Sequence, residues 1–168
     1  LSLHDALPIW VRYGARLNLE LSATAAKQAA AALQSWPWPQ GAPALAARLR
    51  MELELLFDEP HWPAAIGLMQ RWGALELLQR EWQQLPPGSL AWLQRLGAWG
   101  KALAAEPPVA CLRLLGLLLL APSDSGGITA MARRLQLPQG QLKLLESSLE
   151  LGDWLKELTS AEDWQPST

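Results

Sequence analysis

Apolar residues recur along this chain at three- and four-residue intervals, and prolines and glycines cut the recurrence into helix-sized lengths. The first segment is predicted over residues 10–17, and Ser22 reads as the N-cap of a second, Ala-rich one over 23–35. Trp36-Pro37-Trp38-Pro39-Gln40-Gly41 stops that helix. In residues 43–57, Leu45, Leu49, Leu53 and Leu56 fall on one face. Asp58-Glu59-Pro60 is expected to cap a helix over 62–72. Gly73 then allows a break before a further helix over 74–85, closed by Pro86-Pro87-Gly88. Ser89 reads as the next N-cap, for 90–105, and Pro107-Pro108 opens a Leu-rich helix reaching Ala121. Residues 122–127 form the most loop-like stretch. Helices over 128–135 and 139–158 follow, and the tail after Trp164 is polar. No segment alternates as a strand does, so the expected fold is all-α, an irregular multi-helix array with no sheet.

Composition strengthens that reading. Half of the 168 residues are hydrophobic and 18% are charged, which excludes a disordered chain. The apolar residues are mostly Leu and Ala rather than the β-branched types that a pleated surface selects. Ten tryptophans stand out. Trp62, Trp72, Trp82 and Trp92 recur every ten residues, but their neighbours do not repeat with them, and solenoid units are longer. The lone cysteine, Cys111, cannot form an intramolecular disulfide and reads as a small buried hydrophobe. The apolar run 109–121 contains Arg113 and is shorter than the roughly 20 residues that span a bilayer. No membrane segment or signal peptide is seen, so a soluble, cytoplasmic protein is expected.

The net charge of −2 hides an asymmetry. Residues 10–50 carry Arg12, Arg16, Lys27, Arg48 and Arg50 against Glu20 alone, while residues 51–168 are net acidic. A polyanion would therefore be met near the start of the chain. Residues 1–9 do not continue the pattern that begins at Trp10. They lack an initiator Met, contain Pro8, which is expected to break any helix, and resemble the read-through translation of a sequencing-adapter oligonucleotide. They are expected to be a non-native leader, ahead of a helical region over 10–85 and a C-terminal helical body over 86–168.

No catalytic residue is assigned. His4-Asp5 spells a metal-binding pair, yet His61 is the only other histidine, and one cysteine rules out zinc spacing. Gly126-Gly127 lacks the lysine and the strand of a phosphate loop. No nucleophile–histidine pairing can be built. The acidic clusters read as solvated faces or caps.

Residues 12–21, Arg12-Tyr13-Gly14-Ala15-Arg16-Leu17-Asn18-Leu19-Glu20-Leu21, resemble the R-F-A-A-R-L-G-F stretch of bacterial CCA-adding tRNA nucleotidyltransferases and poly(A) polymerases. Tyr13 stands for Phe, and Asn18 for Gly, which keeps a left-handed helix end available. Arg48 and Glu52 match that family's E-R-I-x-x-E-L-x-x-L-L motif, with Ala47 in place of the first acid. Pro63 through Met69 and Trp72-Gly73-Ala74-Leu75 resemble its P-x-x-A-L-x-L-L…x-G-L-L continuation, in the same order and spacing. Beyond residue 85 only helical character is shared.

The resemblance implies the RNA-holding neck and body of a class II nucleotidyltransferase, with tRNA as partner. The catalytic head, with its Mg²⁺ and nucleoside triphosphate, and the nucleotide-selecting motif are expected to lie upstream, leaving no cofactor in this segment and no activity of its own. Arg12, Arg16, Arg48 and Arg50 are the RNA-binding candidates, because arginine contacts phosphates without reading sequence. Tyr13 and Glu52 support the motifs. Arg48 and Glu52 could instead form an intrahelical pair. Trp36 and Trp38 are the tryptophans best suited to stack on bases. The alternative is a non-enzymatic helical interaction module with a Trp-rich surface. Oligomeric state is not legible.

Overall fold

A computed structural model describes residues 3–34, 43–103 and 106–160, and among these the chain is all-helical, with no strand. Eight α-helices follow in order: α1 Leu3–Leu17, α2 Ala23–Gln34, α3 Pro43–Asp58, α4 Trp62–Arg71, α5 Ser89–Ala102, α6 Val109–Leu119, α7 Ser125–Arg134 and α8 Gln139–Ser160. A single 3-10 turn, Ala74–Leu77, lies between α4 and α5. The Pro-rich turn with Trp36 and Trp38, and the tail from residue 161, lie outside the described residues.

The Leu-rich helix α6 is the hub. Leu114, Leu115, Leu117 and Leu118 are all buried, and α6 packs against α3, α5, α7 and α8. On the other side of α3, α1 lies against α2, α3 and α4. One continuous core runs from Leu7 and Val11 through Leu53, Phe57 and Ile66 to Leu114, Ala132 and Leu145. The boundary expected near residue 85 falls in an irregular stretch, yet this core crosses it. Of the α3 stripe, Leu49, Leu53 and Leu56 are all buried, and the Leu45 side chain lies outside the described residues.

Several expectations are corrected. Helix α1 runs through Pro8, where a break was expected. Proline inside a helix costs about 3 kcal/mol through one lost hydrogen bond and a clash. Full burial of Leu7 and Val11, worth roughly 1.5–3 kcal/mol each, offsets that. The helix expected over 74–85 shrinks to the 3-10 turn. Glu81 takes a left-handed φ of 67°, and Trp82 turns inward with its indole N–H donating to the Gln84 carbonyl at 3.1 Å. The Leu85 amide donates to Gln70 Oε1 at 2.9 Å, tying the loop to α4 instead of to a helix of its own.

Capping is split. Ser22 does cap α2, accepting from the Ala25 amide at 3.2 Å. Asn18 does adopt the left-handed end (φ 52°), and the Leu19 amide closes α1 on the Gly14 carbonyl at 2.9 Å. By contrast, Gly88 rather than Ser89 occupies the cap of α5, and the Ser89 hydroxyl donates to the Pro86 carbonyl at 2.5 Å. Helix α4 is capped at His61, with no side-chain cap bond from the preceding acids. Asp124 caps α7, accepting from the Gly127 amide at 2.8 Å, so the expected loop is helical from Ser125.

Candidate nucleic-acid interface

The three motif segments fold onto one another. Gly14 of α1 meets α4 so closely that an added Cβ would sit 2.6 Å from Trp72 and 3.1 Å from Leu68. Only glycine permits that approach. Two residues earlier, Arg12 leaves the buried face and reaches across to α3 and the turn behind it. Its guanidinium donates to Glu59 Oε1 at 3.0 Å and lies 3.5 Å from Glu52 Oε2. The same group sits over the Tyr13 ring, 5.0 Å from its centroid. Burial works against the Arg12 charge, but the hydrogen bond to Glu59 and the negative charges of Glu52 and Glu59 outweigh it, raising the guanidinium pKa.

The candidate RNA-binding arginines therefore divide. Arg12 is half-buried and held by two carboxylates. Arg50 is half-buried and paired with Glu54 at 3.2 Å, the i,i+4 pair that α3 forms on this face. Glu52, which the sequence offered as a partner for Arg48, also reaches Arg12 on another helix, at 3.5 Å. Arg16 and Arg48 are exposed. Tyr13 is 44% exposed, and with Trp10, Leu19 and Leu21 it lines an open hollow of about 280 Å³ between α1 and the start of α2.

Other clusters were not legible in the sequence. Glu59 as the acceptor for Arg12 is 47 residues distant, and Arg71 pairs with Glu20 across 51 residues at 2.9 Å. Arg113, in the middle of apolar α6, donates to the Phe57 carbonyl at 2.9 Å and stacks 4.7 Å from the Trp62 ring centroid. Burial lowers its pKa, and Asp58 partly offsets that. Gly97 makes room for it, since a Cβ there would lie 2.8 Å from Arg113 Nε. Cys111 is half-buried rather than fully so, with Sγ 3.8 Å from Glu54 Oε1. Burial, then the Glu54 charge, pushes its thiol pKa up.

The four regularly spaced tryptophans take different places: Trp62 and Trp82 are buried, Trp72 and Trp92 half-buried. Among the described residues, no three His, Cys, Asp or Glu side chains come together to hold a metal ion. No helix among them is long and apolar enough to cross a membrane. A cavity of about 890 Å³ lies between residues 119–126 and α8 and opens to solvent. No protein-family model matches the chain, and no curated protein or solved structure does either.

Proposed function

We propose that residues 10–85 are the RNA-holding neck and body of a nucleotidyltransferase of the CCA-adding and poly(A) polymerase type, and that they hold a tRNA-like RNA by its phosphates. The observation that carries the reading is the register of three motifs, around Arg12-Tyr13, Arg48-Glu52 and Pro63–Trp72, whose helices pack together through the Arg12–Glu52–Glu59 bridge and the Gly14–Trp72 contact. The chemistry, CMP or AMP transfer to an RNA 3′ end with Mg²⁺, would belong to a catalytic head.

Within this reading, the arginines do different work. Arg16 and Arg48, exposed on α1 and α3, meet phosphate. Arg12 and Arg50 are half-buried and present less of the guanidinium to a phosphate. Tyr13, beside Arg16, offers a face for an unstacked base.

The test is tRNA binding followed by fluorescence anisotropy across salt concentration. Two phosphate contacts lower affinity roughly tenfold between 50 and 200 mM salt, and removing either exposed arginine lowers the slope by about one. Salt-insensitive binding, or none at micromolar protein in low salt, would overturn the proposal. So would nucleotide incorporation by this chain alone. A second reading, a protein-docking helical module, is favoured by one observation: the outer face of α8 is apolar.

A further inference from the structure

Helix α8 is apolar on two opposite faces. Leu142, Leu145 and Leu149 turn inward against the core, and Ser125 donates to Asp153 on the same side at 2.5 Å. About 180° around the helix, Leu144, Leu151, Trp154, Leu155 and Leu158 are 39–55% exposed. A helix with its polar residues on the free face needs no cover there, whereas one apolar on both sides is built to be packed on both.

The spacing of the outer face points to its occupant. Leu144, Leu151 and Leu158 are seven residues apart, symmetric about Leu151. A two-fold axis through Leu151 with antiparallel helices sets Leu144 opposite Leu158 and Leu151 opposite itself. It also sets Ser147 opposite Leu155. Leu155 thus meets the small Ser147, while Leu144 and Leu158 stack across the seam on either side of the central Leu151 pair, an arrangement that brings the two helices into close packing. A parallel pairing would instead stack Trp154 on Trp154 and leave the serines facing one another.

We infer that the outer face of α8 is an antiparallel, two-fold interface with a second copy of this chain. The five exposed apolar side chains offer on the order of 450 Å² per copy, so with its polar margins the pair reaches about 1,000 Å², the lower bound for a specific interface.

Sedimentation of the full chain from about 1 to 200 µM should show a monomer–dimer equilibrium. Leu151→Glu should shift it to monomer at every concentration, with helicity and melting temperature unchanged because the site is exposed. Register is read by cysteine cross-linking in a Cys111→Ala background. Leu151→Cys should oxidise to a disulfide dimer. Leu144→Cys should not cross-link to itself, but Leu144→Cys mixed with Leu158→Cys should give the hetero-linked species. A monomer throughout, a dimer that survives Leu151→Glu, or self-linking at position 144 would each overturn the inference. Binding of a different protein by a chain that stays monomeric would do the same.

Discussion

Arg12→Ala tests whether the first motif arginine is a structural bridge. It removes the 3.0 Å bond to Glu59 and the 3.5 Å contact to Glu52, from side chains that are 18%, 23% and 16% exposed respectively. A hydrogen bond between charged groups contributes about 1.5–3 kcal/mol. The longer contact, at the edge of pairing distance, and the Tyr13 ring together add roughly 1 kcal/mol or less. The variant also leaves two part-buried carboxylates without their cation, so the expected loss is about 2–4 kcal/mol. In a domain of this size that lowers the melting temperature by roughly 5–15 °C. Urea unfolding followed by circular dichroism measures it. Coupling to Glu59→Gln in a double-mutant cycle should come to about 1–2 kcal/mol. RNA affinity, measured well below the transition, should change less for Arg12→Ala than for Arg16→Ala. A stability loss under about 0.5 kcal/mol, or no coupling to Glu59, would refute the bridge.

Gly14→Ala should lower stability by about 1–3 kcal/mol despite alanine's higher helix propensity, because its Cβ meets Trp72 at 2.6 Å; a stabilised variant in the same urea assay would contradict the close approach. Arg113→Met should cost about 1–3 kcal/mol, since the Phe57 carbonyl loses its donor at 2.9 Å and Trp62 its stacked cation. Hydrogen bonds from Ser125 and then Lys156 hold the Asp153 carboxyl below its usual range. A depressed folded-state pKa contributes stability above the unfolded value that is lost as pH falls through the folded one. Thermal melts should therefore fall on acidification below about pH 4 less steeply in Ser125→Ala than in the parent, and identical slopes would rule this out. Cys111, with its thiol pKa raised, should react slowly with iodoacetamide at pH 7 and faster as pH rises past 9.

The all-helical class was legible because it rests on local physics: Leu and Ala content, three- and four-residue periodicity, and proline and glycine punctuation. Ser22 and Asn18 were legible for the same reason, since a cap or a left-handed end involves only neighbouring residues. The spacing of Arg12, Arg16, Arg48 and Glu52 could likewise be read from the chain alone. Whether Arg12 faces solvent or two carboxylates could not, because its partners lie 40 and 47 residues away and are chosen by the crossing of α1 over α3 and α4. Pro8 and the residues after Ala74 were misread for a related reason. Local rules put a break at the proline and a helix over 74–85; burial of Leu7 and Val11 carries α1 through the first. Inward rotation of Trp82 and the Gln70–Leu85 bond unwind the second. The outer stripe of α8 shows the division most plainly. The sequence set its seven-residue spacing, but only the packing of Leu145 and Leu149 against the core decided which of two apolar faces stays uncovered.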